Sequence, residues 1–292
     1  MVAWKRLIRF VAEDGKIYQG QPIGSPSEDI GKLFSEGAKI QANVITGDIF
    51  HDAIVTEQIL EVKKLLGPLT PAQVPLLKCV GLNYMKHIRE ANRTPPPYPS
   101  IFFKAGTAVA DHGEPIPVPK IAQDGQLDYE GELCVVIGKT GKDIKKEDAL
   151  DYVLGYTAGN DVSARFWQRK PEFAGRVPQW NFSKGFDKWA PLGPVLVSSE
   201  VITSPGKLDL KTLVNGEIRQ HTNTDDLIFD IPAIIAFISQ GTTLQAGTVI
   251  MSGTPGGVGI AASGTPRPLN DGDVVEITIE EIGTLSNKMQ FV

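Results

Sequence analysis

The chain has 292 residues, 41% hydrophobic and 22% charged, with a net charge of −5. That is enough for one large domain, or a large and a small one, with the balance of an ordinary soluble globular protein. The acidic balance argues against nucleic acid as the main partner, and no apolar run reaches membrane-spanning length.

Residues 1–70 read as a small N-terminal domain, and residues 71–292 as the larger unit. Residues 4–11 and 16–19 flank Glu13-Asp14-Gly15, a hairpin signal. The N-terminus is basic but lacks a signal-peptide core, so a cytoplasmic location is expected, with a mitochondrial address left open. Residues 56–66 place Ile59, Leu60, Val62, Leu65 and Leu66 at helical spacing, which predicts a short amphipathic helix ended by Gly67-Pro68. His51 beside Asp52 reads as an exposed loop pair. Residues 75–83 read as a buried strand entering a loop.

His87 and Glu90 are three apart, so on a helix they share a face. There a carboxylate can orient an imidazole as a general base; the plain alternative is a surface pair. The proline-rich residues 93–99 read as the far arm of a lid carrying that helix, and residues 101–104 as a strand. The stretch from Asp128 to Gly138 reads as a strand with a β-branched apolar run. Glu130 and Glu132 then point the same way. Two adjacent carboxylates repel, and a cation between them removes the repulsion. Oxygen ligands suit a hard ion, Mg²⁺ first, with Mn²⁺ and Ca²⁺ as alternatives. A second apolar run, residues 152–158, leads to Asp161, a third acid. Three carboxylates leave about three octahedral positions for water or substrate.

Cys79 and Cys134 form neither a CxxC nor a zinc spacing, so no structural disulfide is expected, a reducing compartment fits, and Cys134 reads as buried packing. Arg165 opens a helix or tight turn and offers a planar fork, either to a substrate carboxylate or to an acid in its own core. Residues 170–180 read as a flexible loop. Asn215-Gly216 marks a hairpin. Thr224-Asp225-Asp226 reads as the cap of a helix over 227–238, with Pro232 near its start or at a kink. Residues 249–259 form a strand entering a glycine-rich turn that lacks the P-loop lysine. Its N–H groups and Thr254 can hold a substrate carboxylate. Residues 274–279 and 283–292 read as closing strands.

DYEGELCVVIGK, NDVSAR, SKGFD and SGTPGGVG, in that order and after GLNYxxHxxE, resemble the fumarylacetoacetate hydrolase superfamily. The resemblance spans roughly residues 75–292 and is nearer to the short members than to fumarylacetoacetase itself. It implies a mixed α+β, β-rich roll as catalytic domain, a small N-terminal domain and a homodimer. It implies a divalent metal at Glu130, Glu132 and Asp161, and a water-activating dyad of His87 and Glu90. Lys104 matches a lysine near the site, Gln168 a substrate-contacting glutamine, and Lys184 a lysine opposite the metal that binds substrate oxygens. Gly185 stands where serine or threonine is usual, and Ala105 where proline is. With Arg165 and Thr254 holding the substrate, the expected activity is hydrolysis of a carbon–carbon bond in a β-diketo acid of the acylpyruvate or fumarylpyruvate type. The same groups suit decarboxylation or keto–enol tautomerisation of oxaloacetate; a non-catalytic metal- or ligand-binding module would need a broken dyad or ligand set. The substrate is a small anionic dicarbonyl or 2-oxo acid. Its distal end is expected to meet the lid and residues 261–269, with Arg267 as a contact.

Overall fold

The computed structural model describes residues 2–90, 94–260 and 265–292. Every residue of the Gly131–Ile137 strand is buried. Leu133, Val135 and Ile137 enter one hydrophobic cluster, while Cys134 and Val136 enter a second. Successive side chains of a strand point to opposite faces, so this strand lies between two cores.

It pairs antiparallel with Val153–Asn160 on one side and with Val249–Met251 on the other. Beyond Val249–Met251 the sheet continues through Leu76–Gly81, in parallel, to Ser100–Ala105. Beyond Val153–Asn160 it continues through Ala190–Ser198 to Arg6–Val11, and on to Ile17–Pro22, Gln41–Thr46 and Ile54–Glu61. The N-terminal strands thus extend the central sheet. A second sheet runs in the order Glu217–Asn223, Asp209–Val214, Val274–Ile279, Gly283–Phe291 and Ile116–Val118. Its Leu210, Val214, Ile277 and Met289 fill the cluster that holds Leu133 and Val135. The result is the expected β-rich, mixed α+β architecture. Among the described residues no helix is long and apolar enough to cross a membrane.

Three local expectations are corrected. Residues 56–66 form no helix: Ile54–Glu61 and Lys64–Leu66 are strands. Ile54–Glu61 pairs with Gln41–Thr46, and Lys64–Leu66 with Arg6–Val11. These ladders satisfy the backbone and bury Val62, Leu65 and Leu66, which outweighs a weak helical propensity. The helix expected over 227–238 is shorter, Ile231–Ile238. Its cap is Asp230, which accepts from the Ala233 N–H at 2.8 Å, while Thr224–Asp226 forms a separate 3₁₀ turn. Pro232 fixes that start, because its missing N–H costs nothing in a first turn. Residues 170–180 hold a one-turn helix, Pro171–Ala174, and the first residue of Trp180–Lys184. The lid segment lies partly outside the described residues; within them Tyr98 stacks on Phe237, centroids 6.0 Å apart.

Candidate active site

The acidic cluster forms where two buried strands end together. Gly131 is opposite Asn160 in the ladder, and the Asp161 N–H donates to the Glu130 carbonyl at 2.9 Å. Asn160 Oδ1 accepts from the Glu130 N–H at 3.0 Å. Glu130, Glu132 and Asp161 each bring a carboxylate oxygen into a group whose atoms all lie within 4.8 Å of one another. Glu132 Oε2 accepts from the Gly253 N–H at 2.7 Å. Gly253 has φ +105°, a conformation that glycine adopts without strain, so the turn can aim this N–H inward.

Three buried cations surround the acids. Lys104 Nζ lies 2.6 Å from Asp161 Oδ1. Lys184 Nζ donates to Glu130 Oε2 at 2.9 Å, Asp161 Oδ2 at 2.7 Å and Ser163 Oγ at 2.7 Å, three acceptors for three ammonium hydrogens. Arg165 Nη1 lies 2.6 Å from Glu130 Oε1 and donates to Gln168 Oε1 at 3.0 Å. Arg165 Nε donates to Asp128 Oδ2 at 2.7 Å, while its buried Nη2 has no hydrogen-bond partner among the described residues.

The electrostatics separate the two glutamates. Burial raises the Glu130 carboxyl, but the positive charges of Lys184 and Arg165 outweigh it and hold it near 2. Burial, with Asp161 and Glu130 as like-charged neighbours, pushes the Glu132 carboxyl well up. Burial lowers Lys184, but Asp161 and Glu130 outweigh it and raise the ammonium. Glu132 is 1% exposed and has no ion-pair partner among the described residues. An all-oxygen cluster with one carboxylate lacking a cation fits a hard divalent ion.

His87, Glu130, Arg165, Gln168, Lys184 and Thr254 line one cavity of about 150 Å³. Glu132, Asp161 and Lys104 are buried and are not among its lining residues. His87 comes from the Met85–Glu90 helix, and its Nδ1 is 3.9 Å from Glu90 Oε2, longer than a hydrogen bond. The Thr254 hydroxyl donates to the Gly131 carbonyl at 3.1 Å and accepts from Gln220 Nε2 at 2.8 Å. Its hydrogen is therefore spent inside the protein. Arg267 is absent from this cavity: it forms a two-pronged pair with Glu217, at 2.9 and 2.6 Å. Residues 261–264 of its loop lie outside the described residues. Gly185 ends the Trp180–Lys184 helix at an ordinary φ of −94°, and a Cβ there would stand 2.5 Å from the Asn181 carbonyl oxygen.

Asp128 is the residue that sequence reasoning passed over. Besides Arg165 it accepts from the N–H groups of Gly259 at 2.8 Å and Ile260 at 3.1 Å. It thereby ties the acidic strand to the glycine-rich turn. The signal was present, since Asp128, Glu130 and Glu132 alternate in one strand-like stretch. The sequence reading gave no role to Phe102, Pro178 or Trp180, which form the apolar side of the cavity.

Residues 77–290 match the sequence profile of the fumarylacetoacetate (FAA) hydrolase C-terminal domain. The chain is 40% identical over 295 residues to the caffeoylpyruvate hydrolase of Neonothopanus nambi, covering 98% of this chain and 93% of that one. It is 43% identical over 223 residues to the mitochondrial oxaloacetate tautomerase of Xenopus laevis, covering 76% of this chain and 67% of that one. Among solved structures it resembles 2-hydroxyhepta-2,4-diene-1,7-dioate isomerase from Mycobacterium marinum, at 36% identity, 98% coverage of each chain and a TM-score of 0.78.

Proposed function

This chain belongs to the fumarylacetoacetate hydrolase family, and we propose that it hydrolyses a carbon–carbon bond in β-diketo acids of the acylpyruvate type. One observation carries the reading: the His87 imidazole, the Glu130, Arg165 and Lys184 members of the buried acid–cation cluster, and an apolar wall share a single cavity. The N. nambi relative, a caffeoylpyruvate hydrolase by name and similar over nearly its whole length, supports it.

Glu130, Glu132 and Asp161 would hold a divalent ion, Mg²⁺ first, which when bound supplies Lewis-acid polarisation of substrate oxygens. The chain's own groups do the rest. Arg165, with Nη2 unspent, binds the negative head of the substrate, and Asp128 and Glu130 fix its guanidinium plane. Gln168 holds Arg165 Nη1 from the other side. Lys184 bridges Glu130 and Asp161, and Lys104 adds a second positive charge at Asp161, which offsets the repulsion between those two acids. His87 takes a proton from water, and Glu90, facing it across 3.9 Å, stabilises the imidazolium that results. The water oxygen bonds to the distal acyl carbon. The bond from that carbon to the pyruvate methylene breaks, its electron pair stays with the pyruvate fragment, and the proton on His87 is returned there. The products are a carboxylate and pyruvate.

A second reading is keto–enol exchange or decarboxylation of oxaloacetate; the cavity's small size favours both, and the X. laevis relative, an oxaloacetate tautomerase by name, supports the first. It needs no water. Incubating Mg²⁺-loaded protein separately with acetylpyruvate and oxaloacetate, followed by NMR, distinguishes the two. Acetate plus pyruvate is expected from the first, with Glu130→Ala and His87→Ala each slowing it at least about 100-fold. Native rates in both variants would sink the proposal. Conversion of oxaloacetate alone would move the assignment to the second reading.

A further inference from the structure

We infer that Trp180 selects the acyl tail of the substrate, and that the favoured tails end in a flat, uncharged aryl group. This deepens the acylpyruvate reading and rests on it.

The Trp180–Lys184 helix carries both ends of the argument. Residues four apart share a helix face, about 6 Å apart along the axis. Lys184 stands at the acids, so Trp180 stands one turn farther out. The step between them is bridged by Phe102. Its ring centroid is 5.1 Å from Lys184 Nζ, and it meets the Trp180 indole edge to face at 5.4 Å and 83°. A substrate with its charged head at the cluster therefore has its tail led along two aromatic rings.

Those rings also form a shared wall. Phe102, Pro178 and Trp180 border both the reaction cavity and an outer groove of about 670 Å³. The groove's other lining residues, Ser100, Ile101, Gln179, Asn181 and Phe182, are all uncharged. A tail ending in a carboxylate would meet no counter-charge there, whereas an aryl tail would meet ring edges and faces at favourable geometry. The indole is held in place from below: a Cβ on Gly81 would stand 2.0 Å from the Trp180 ring, so the ring rests on the backbone of the Leu76–Gly81 strand. From the side, the Phe103 N–H donates to Asn181 Oδ1 at 3.0 Å and ties the helix to Ser100–Ala105.

The test uses two acids that share the 2-oxo acid head and lack the distal carbonyl, so neither can be hydrolysed. Binding of 2-oxo-4-phenylbutanoate and of 2-oxobutanoate to Mg²⁺-loaded protein is measured by calorimetry. The phenyl acid is expected to bind at least about tenfold more tightly, or about 1.4 kcal/mol. Trp180→Ala should bring the two Kd values within about threefold of each other, Trp180→Phe should keep part of the difference, and Gly81→Ala, which displaces the indole, should narrow it as well. Circular dichroism checks folding; if Trp180→Ala does not fold, the Phe and Gly81 variants decide. Equal binding of both acids by the native protein, or an unchanged ratio in the folded variants, overturns the inference and leaves the acylpyruvate reading standing. Binding of neither acid overturns the head-group reading, and this inference with it.

Discussion

Lys184 shows how much one side chain carries here. It is 2% exposed and meets Glu130, Asp161 and Ser163 at once. Removing one partner of a buried ion pair leaves charge without compensation, at a cost of about 3–5 kcal/mol. Lys184→Ala is therefore expected to lower the melting temperature of metal-free protein, with Mg²⁺ restoring part of the loss; a melting temperature equal to the native one would contradict this placement. His112 makes a separate prediction. Burial lowers its imidazole to about 4 against an ordinary 6.5, a loss that nearby Asp29 offsets only in part. In the folded state it is neutral, so the unfolded chain binds the extra proton between those values. The contribution of His112 to stability is full above pH 6.5 and falls as pH drops toward 4, by roughly 3 kcal/mol in all. His112→Asn keeps an acceptor for the Ser286 N–H, which meets Nδ1 at 3.3 Å, and should remove that slope in urea unfolding. Glu130, held near 2, acts in a different window: its stabilisation is present above about 4.5 and is lost as pH falls toward 2.

Single elements are set by their ends and by their neighbours. The Ile231–Ile238 helix has a short apolar sequence and a buried face of Ile231, Ile234, Ile235 and Ile238. Its start depends on Asp230, whose carboxylate takes the Ala233 N–H and also faces Lys146 at 2.9 Å. Asp230→Ala should cost about 1 kcal/mol in denaturant unfolding without changing activity. Ile54–Glu61 shows the opposite case, an element without strong local signals. It lies at the sheet edge, and Ile54 and Ile59 are largely exposed. Its apolar spacing could serve a helix equally well, and only the ladder to Gln41–Thr46 selects the strand.

Across the molecule, the N-terminal strands and the acidic site share one sheet. Arg6–Val11 covers the edge of Ala190–Ser198, and both hydrophobic clusters draw on the N-terminal segment: Ile8 and Phe10 in one, Trp4 and Leu7 in the other. Buried Arg9 pairs with Asp111, which ties the two parts together, and it donates to the Gly67 carbonyl at 2.9 Å within its own part. A chain beginning at residue 71 would expose an unpaired strand edge and half-filled cores. It is expected to lose cooperative thermal unfolding; a sharp transition near the native temperature would show that the larger part folds alone.

The sequence by itself determined the strand that carries Glu132, although that strand starts at Gly131 and leaves Glu130 just before it, the helix that carries His87, the Asn215-Gly216 hairpin and the family. These rest on contacts within a few residues: side-chain alternation, helical spacing and turn chemistry. Tertiary structure alone decided that Lys104 and Lys184 converge on Asp161, partners 57 and 23 residues away by number. It decided equally that Asp128 anchors Arg165, that Arg267 turns to Glu217, and that Phe102 and Trp180 meet beside the acids. Each of these depends on which strands neighbour one another, and a burial preference or local spacing carries no record of the partner across the sheet.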